Sequence, residues 1–249
     1  MKSFENILLE RRTVRKYSAE DVDDATLNAI LEMGCRASTT GNMQVYSIIV
    51  TRDGEMKKEL APFHFNQKMI VEAPVTLTFC ADFNRFNKWC RLRNAEPGYD
   101  NFMSFVTAAI DAVIVAQTVA IAAEAKGLGI CYIGTTTYNA NGIIEALNLP
   151  AGVVPVTTLT LGWPAEHTEQ VDRLPLEAVA HSEVYKDYSA DDINKYYAAK
   201  ESRQDSLKFI AENNKETLAQ IFTDVRYKKA DNEHFSKTLL KVLKSQGFL

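Results

Sequence analysis

Four cations fall within the seven residues RRTVRKY at 11–17, in a chain of 249 residues whose formal net charge is -4. Arg11, Arg12 and Thr13 place two guanidinium forks beside a hydroxyl, the donor set that holds a phosphate. In an extended segment Arg15 lies on the same side as Thr13 and reaches further along a bound ligand. The competing use for these charges is a solvated helix end, where cations meet unpaired carbonyls.

Other chemistries find little support in the residue pattern. Gly127, Gly129 and Gly134 lie in GLGICYIG, but their spacing is not G-x-G-x-x-G. They also follow a helical pattern and open a strand, the reverse of the order that aims a helix N-terminus at a pyrophosphate. There is no G-x-x-x-x-G-K-[ST] and no G-x-S-x-G in the chain. The cysteines (Cys35, Cys80, Cys90 and Cys131) and the histidines (His64, His167, His181 and His234) are scattered, with no metal-ligand spacing. Reactivity is therefore expected to belong to a bound cofactor, with the protein supplying its cradle.

The elements that must position such a cradle follow from hydrophobic patterning. Apolar residues make up 46% and charged residues 24% of the chain, as in a soluble globular protein. The mildly acidic balance argues against a nucleic-acid partner. The apolar run at 107–125 is interrupted by Asp111, Gln117 and Glu124, so a core helix is expected rather than a membrane span. The start of the chain has no apolar signal-peptide core, which points to the cytoplasm. Short helices are expected at 3–11, from Asp23 or Asp24 onward, at 55–63, at 67–73 and at 139–148. Strands are expected at 46–52, 75–82, 130–135 and 154–164, and 83–100 reads as a loop. One long helix, apolar nearly all round, covers about 103–126. Beyond 181 the chain turns polar and helical, which divides it into a core over 1–180 and a helical extension over 181–249.

Eight strings in order carry a resemblance across about 240 residues: RRTVRKY, STTGNMQ, NQKM, CADFNR, IAAEAKGLGICYIGT, LGWPAE, DRLP and a polar tail ending LKSQGFL. The chain resembles the FMN-dependent nitroreductase superfamily, most closely the branch of NADPH-dependent, oxygen-insensitive nitroreductases and flavin reductase P. The resemblance implies an α+β fold: a mostly antiparallel central sheet flanked by helices around one long core helix, with a helical C-terminal extension. It also implies a homodimer holding FMN at its interface.

By that resemblance Arg11, Arg12 and Thr13 contact the FMN phosphate and ribityl end. Arg15 sits near flavin N1 and O2, where a fixed guanidinium stabilises the negative charge of the reduced ring. Thr39 and Gln44 in the 38–44 turn, Gln67, and Ile133, Gly134 and Thr135 at a strand end complete the cradle, and Arg173 is a further phosphate ligand. Val171 stands where close relatives carry a lysine, and Arg11 where they often carry histidine. Lys200 and Arg203 are the residues expected to grip the 2′-phosphate of NADPH. The implied activity is a ping-pong transfer of two electrons from NADPH or NADH to nitroaromatics, quinones or flavins, with no side-chain catalyst. The rival readings are a specialised dehalogenase or heterocycle dehydrogenase of the same superfamily, or a flavin-binding module without turnover.

Overall fold

The computed structural model describes residues 3–249. By contacts they divide into two compact units. One comprises the residues up to Gln170 together with Phe235–Leu249, and the other comprises Val171–His234.

The first unit is built on four strands: β1 (Tyr46–Thr51), β2 (Val75–Asp82), β3 (Gly129–Ile133) and β4 (Val153–Gly162), in the order β1-β2-β4-β3 with every pairing antiparallel. These lie within two residues of the runs expected from β-branched composition. All eight residues of β2 are buried, because helices cover both sheet faces. The pairing of β2 with β4 skips a residue where Cys80 meets Pro155. Proline has no N–H for the ladder, and a bulge accommodates the gap.

On one face pack α2 (Asp24–Gly34) and α6 (Phe102–Ala125), closing a core of Ile30, Leu77, Phe79, Val115, Val119, Ile130 and Leu159. Asp23, not Asp24, caps α2, its carboxylate accepting from Thr26 N at 2.8 Å. On the other face α3 (Gly54–Leu60), α4 (Lys68–Glu72) and α7 (Ala140–Ala146) close a second cluster around Leu60, Ile70, Cys131, Ile133 and Ile143. Ile130 enters the first cluster whereas Cys131 and Ile133 both enter the second, the two-residue period of β3.

Two expectations are revised. Residues 83–100 are not all loop, because α5 (Asn84–Arg91) lies within them. Helix α6 is not buried all round: it lies on the sheet along one side, while Met103, Ile110, Val113 and Ile114 are exposed on the other. It has the length and apolar composition of a membrane span, yet it carries the buried Asp111 and packs on the sheet along its inner side. Helix α1 (Phe4–Leu9) precedes the arginine-rich segment. After α8 (Ala190–Glu201), α9 (Gln204–Glu212), α10 (Leu218–Gln220) and a π-helical turn, the chain ends in α11 (Lys229–Ser245). Val242, Leu243 and Phe248 enter a third cluster with Phe83, Phe105 and Val154.

Candidate functional site

The segment 11–17 is extended and stitched to the sheet by its backbone. Thr13 bridges Ile130 in parallel, Val14 N donates to Ile130 O at 2.9 Å, and Ser18 N donates to Trp163 O at 2.8 Å. The Tyr17 hydroxyl adds a clamp, lying 3.0 Å from Val14 O and 2.7 Å from Thr160 Oγ1. Val14 is buried against Gly129, where a Cβ would fall 2.6 Å from the valine's own. Only glycine permits that contact. With Val14 facing inward, alternation turns its neighbours Thr13 and Arg15 the other way.

The three arginines have separate surroundings. Arg15 is exposed, with its guanidinium at the Cys131 thiol; burial pushes that thiol up and Arg15 partly opposes the shift. Arg12 donates through Nη1 to His167 Nε2 at 2.6 Å and to Thr168 O at 3.0 Å, tying the loop after β4 to this segment. Arg11 faces Glu124 at the end of α6, Nε to Oε2 being 3.5 Å. A cavity of about 490 Å³ opens beside them, lined by Arg11, Arg12, Glu124, Lys126 and His167 among others. Along it Arg11 Nε, Glu124 Oε2 and Thr168 Oγ1 are buried without a hydrogen bond among the described residues. Thr13 and Arg15 do not line it.

The end of β3 brings together a second group. Thr136 Oγ1 donates to Ile133 O at 3.1 Å and lies 3.0 Å from Thr158 Oγ1, locking the turn that follows. A Cβ at Gly134 would meet nothing within 4 Å, so space is open above the turn. Thr135 Oγ1 lies 3.1 Å from His64 Nδ1 and 3.5 Å from Gln67 Nε2. His64 is completely buried, and burial alone lowers its pKa to about 4, so the ring is neutral.

Thr39 and Gln44 belong to a turn held elsewhere. Thr40 donates to the buried Asp111 of α6 from its backbone N at 3.0 Å and from Oγ1 at 3.1 Å. Gly41, Asn42 and Gln44 all have positive φ, and Arg85 donates to Gln44 O. The bonds found for this turn run to α6 and α5, and none joins it to the arginine-rich segment among the described residues.

Arg173, Lys200 and Arg203 lie in the second unit. Arg173 is exposed and donates to the carbonyl of Asp172. Lys200 Nζ pairs with Asp172 Oδ2 at 3.0 Å, and Arg203 lies 2.9 Å from Asp205 Oδ1 and 4.0 Å from Asp172 Oδ1. The two expected 2′-phosphate ligands thus already share a carboxylate.

The donor set in the first unit fits FMN: guanidiniums and a hydroxyl for a phosphate, hydroxyl and amide groups for a ring edge, and open space above Gly134. Sequence reasoning missed His64, Asp111, Glu124 and His167 as members of this neighbourhood. His64 and Asp111 each meet their partners across 71 residues, and His167 meets Arg12 across 155, so no local pattern announces them.

Residues 8–163 match the model of the nitroreductase family. An FMN reductase [NAD(P)H] of Bacillus subtilis is 34% identical over 212 residues, covering 84% of each chain. An oxygen-insensitive NADPH nitroreductase of Salmonella typhimurium is 34% identical over 180 residues, covering 72% of this chain and 73% of the relative. A crystal structure from Bacteroides fragilis superposes with a TM-score of 0.97 at 59% identity, covering 98% of this chain and 99% of that one.

Proposed function

The chain belongs to the nitroreductase family, and from that premise we propose that it is an FMN-dependent oxidoreductase. It takes two electrons from NADPH or NADH and delivers them to nitroaromatics, quinones or flavins in a ping-pong cycle. The observation that carries this reading is the seating of Thr13 and Val14 on β3, whose far end opens into the Gly134–Thr135 turn.

Bound FMN supplies the hydride-accepting and hydride-donating ring. The chain's residues bind and orient it. Arg11 and Thr13 offer charge and a hydroxyl to the phosphate. Arg12 offers charge to the phosphate as well, while its Nη1 holds the loop at His167 and Thr168. Arg15, exposed and fixed by the backbone bonds of Val14, offers a guanidinium to the electron-rich end of the ring. Gln67 and Thr135 offer hydrogen bonds to its edge, and Gly134 withholds a side chain so that a planar partner can approach. Thr39 and Gln44, on the turn anchored by Asp111, are further flavin contacts.

Helix α6 supports a homodimer. Ile110 and Val113 are 53% and 47% exposed on one helix, an apolar stripe that a second copy would cover. The whole reading is tested by purifying the protein and identifying its ligand. FMN should co-purify, and NADPH should bleach it without oxygen. Arg15→Ala should retain FMN less well and make its two-electron potential about 30 mV more negative, the equivalent of one lost charge-assisted hydrogen bond. A colourless protein that binds no FMN would overturn the proposal.

A further inference from the structure

His64 is a buried histidine outside the roles assigned above, and its two ring nitrogens are unequal. Nδ1 lies 3.1 Å from Thr135 Oγ1, whereas Nε2 is buried with no hydrogen-bond partner among the described residues. A proton on Nε2 would therefore be an N–H donor sealed away from any acceptor. A proton on Nδ1 has an acceptor waiting, and leaves only a lone pair unsatisfied at Nε2. Buried donors without acceptors are the rarer defect in folded proteins. The Nδ1–H form is therefore the one this pocket selects.

That choice decides what Thr135 can do. A hydroxyl has two lone pairs and one proton. His64 Nδ1–H takes one lone pair, and the Gln67 amide, 3.5 Å away, approaches the other. The Thr135 proton is then free, on a half-buried residue beside the open space at Gly134. We propose that His64 is a positioning residue: by donating from Nδ1 it makes Thr135 a hydrogen-bond donor toward whatever ligand occupies the turn after β3. The acceptor it suits is a ring carbonyl or an unprotonated ring nitrogen. On the reading given above, which this inference rests on, that acceptor belongs to the flavin edge. Burial keeps the imidazole neutral, so His64 contributes direction and no charge.

Two measurements test this. The first needs no flavin: in 15N-labelled protein at neutral pH, the His64 ring should show a protonated Nδ1 and a bare Nε2 by NMR. The opposite tautomer overturns the inference. The second compares FMN dissociation constants and the visible spectrum of bound FMN. Thr135→Val and His64→Leu should each weaken binding about tenfold and shift the flavin bands, while Thr135→Ser and His64→Asn, which keep a hydroxyl and a donor, should restore both. If Val and Leu variants bind and absorb as wild type does, His64 has no positioning role. Should His64→Leu fail to fold, the Thr135 pair and the tautomer decide. Wild-type protein that binds no FMN would sink the flavin reading, and the tautomer alone would then judge His64.

Discussion

Arg11 and Glu124 confront each other with Nε and Oε2 3.5 Å apart, and neither atom has a hydrogen bond elsewhere among the described residues. Burial pushes the Glu124 carboxyl above its usual range, and Arg11 pulls it partly back. A phosphate at Arg11 would have to compete with this carboxylate. Glu124→Gln should therefore bind FMN about three- to tenfold more tightly at pH 8. As pH falls and Glu124 gains its proton, wild type should converge on the variant. Titrations of FMN fluorescence across pH check this, and equal affinities for the two proteins at pH 8 would refute the competition.

The outer face of α6 makes a second prediction. Ile110→Asp or Val113→Asp places a carboxylate in the stripe assigned to the partner copy. Each should weaken self-association about 100-fold, the effect of losing a well-packed interface residue. Light scattering during gel filtration gives the mass directly. A wild-type protein that runs as a monomer at every concentration would remove the dimer.

Asp172 holds the two cations proposed to select NADPH. It pairs with Lys200 and lies 4.0 Å from Arg203, so the cations are preassembled but partly neutralised. Arg203→Ala should lower kcat/KM for NADPH up to about tenfold while leaving NADH nearly unchanged, because only NADPH carries the extra phosphate. An unaltered NADPH/NADH ratio would leave Arg203 with its ion pairs alone.

His64 predicts a pH dependence of stability. Its pKa is about 4 in the folded chain against 6.5 for an exposed imidazole. The unfolded chain therefore takes up a proton that the native one refuses. The contribution is complete above pH 6.5 and is lost as pH falls toward 4, at up to about 1.4 kcal/mol per pH unit and about 3 kcal/mol in all. His64→Asn does not titrate, so its denaturation free energy should fall less over that window. Parallel curves for the two proteins would show that His64 is protonated without cost.

The sheet was legible because its strands are dense in β-branched residues: β2 reads VTLTFCAD and β4 contains VPVTTLTLG. Helix α5 was not, although Phe86, Trp89 and Cys90 have helical spacing, because the surrounding residues are polar. It is held by ring contacts instead, Phe86 touching Phe83, Trp89 and Tyr99. The arginine-rich segment was visible as a string, but the division of labour within it was not. Nothing local says that Arg12 meets His167 or that Arg11 meets Glu124; those pairings exist only once β3 has brought the segment alongside the end of α6. His64 was hidden for the same reason, since its meaning comes from Thr135 on another element.

The chain leaves its first unit after Gln170 and rejoins it at Phe235. The returning piece is no loose end: Phe248 is 1% exposed, Phe105 is its aromatic neighbour, and Gly152 N donates to Gln246 O. A protease that nicks the intervening stretch would thus sever the covalent thread without dismantling the body on either side of the cut. The two fragments should travel together through a native column and separate only in denaturant.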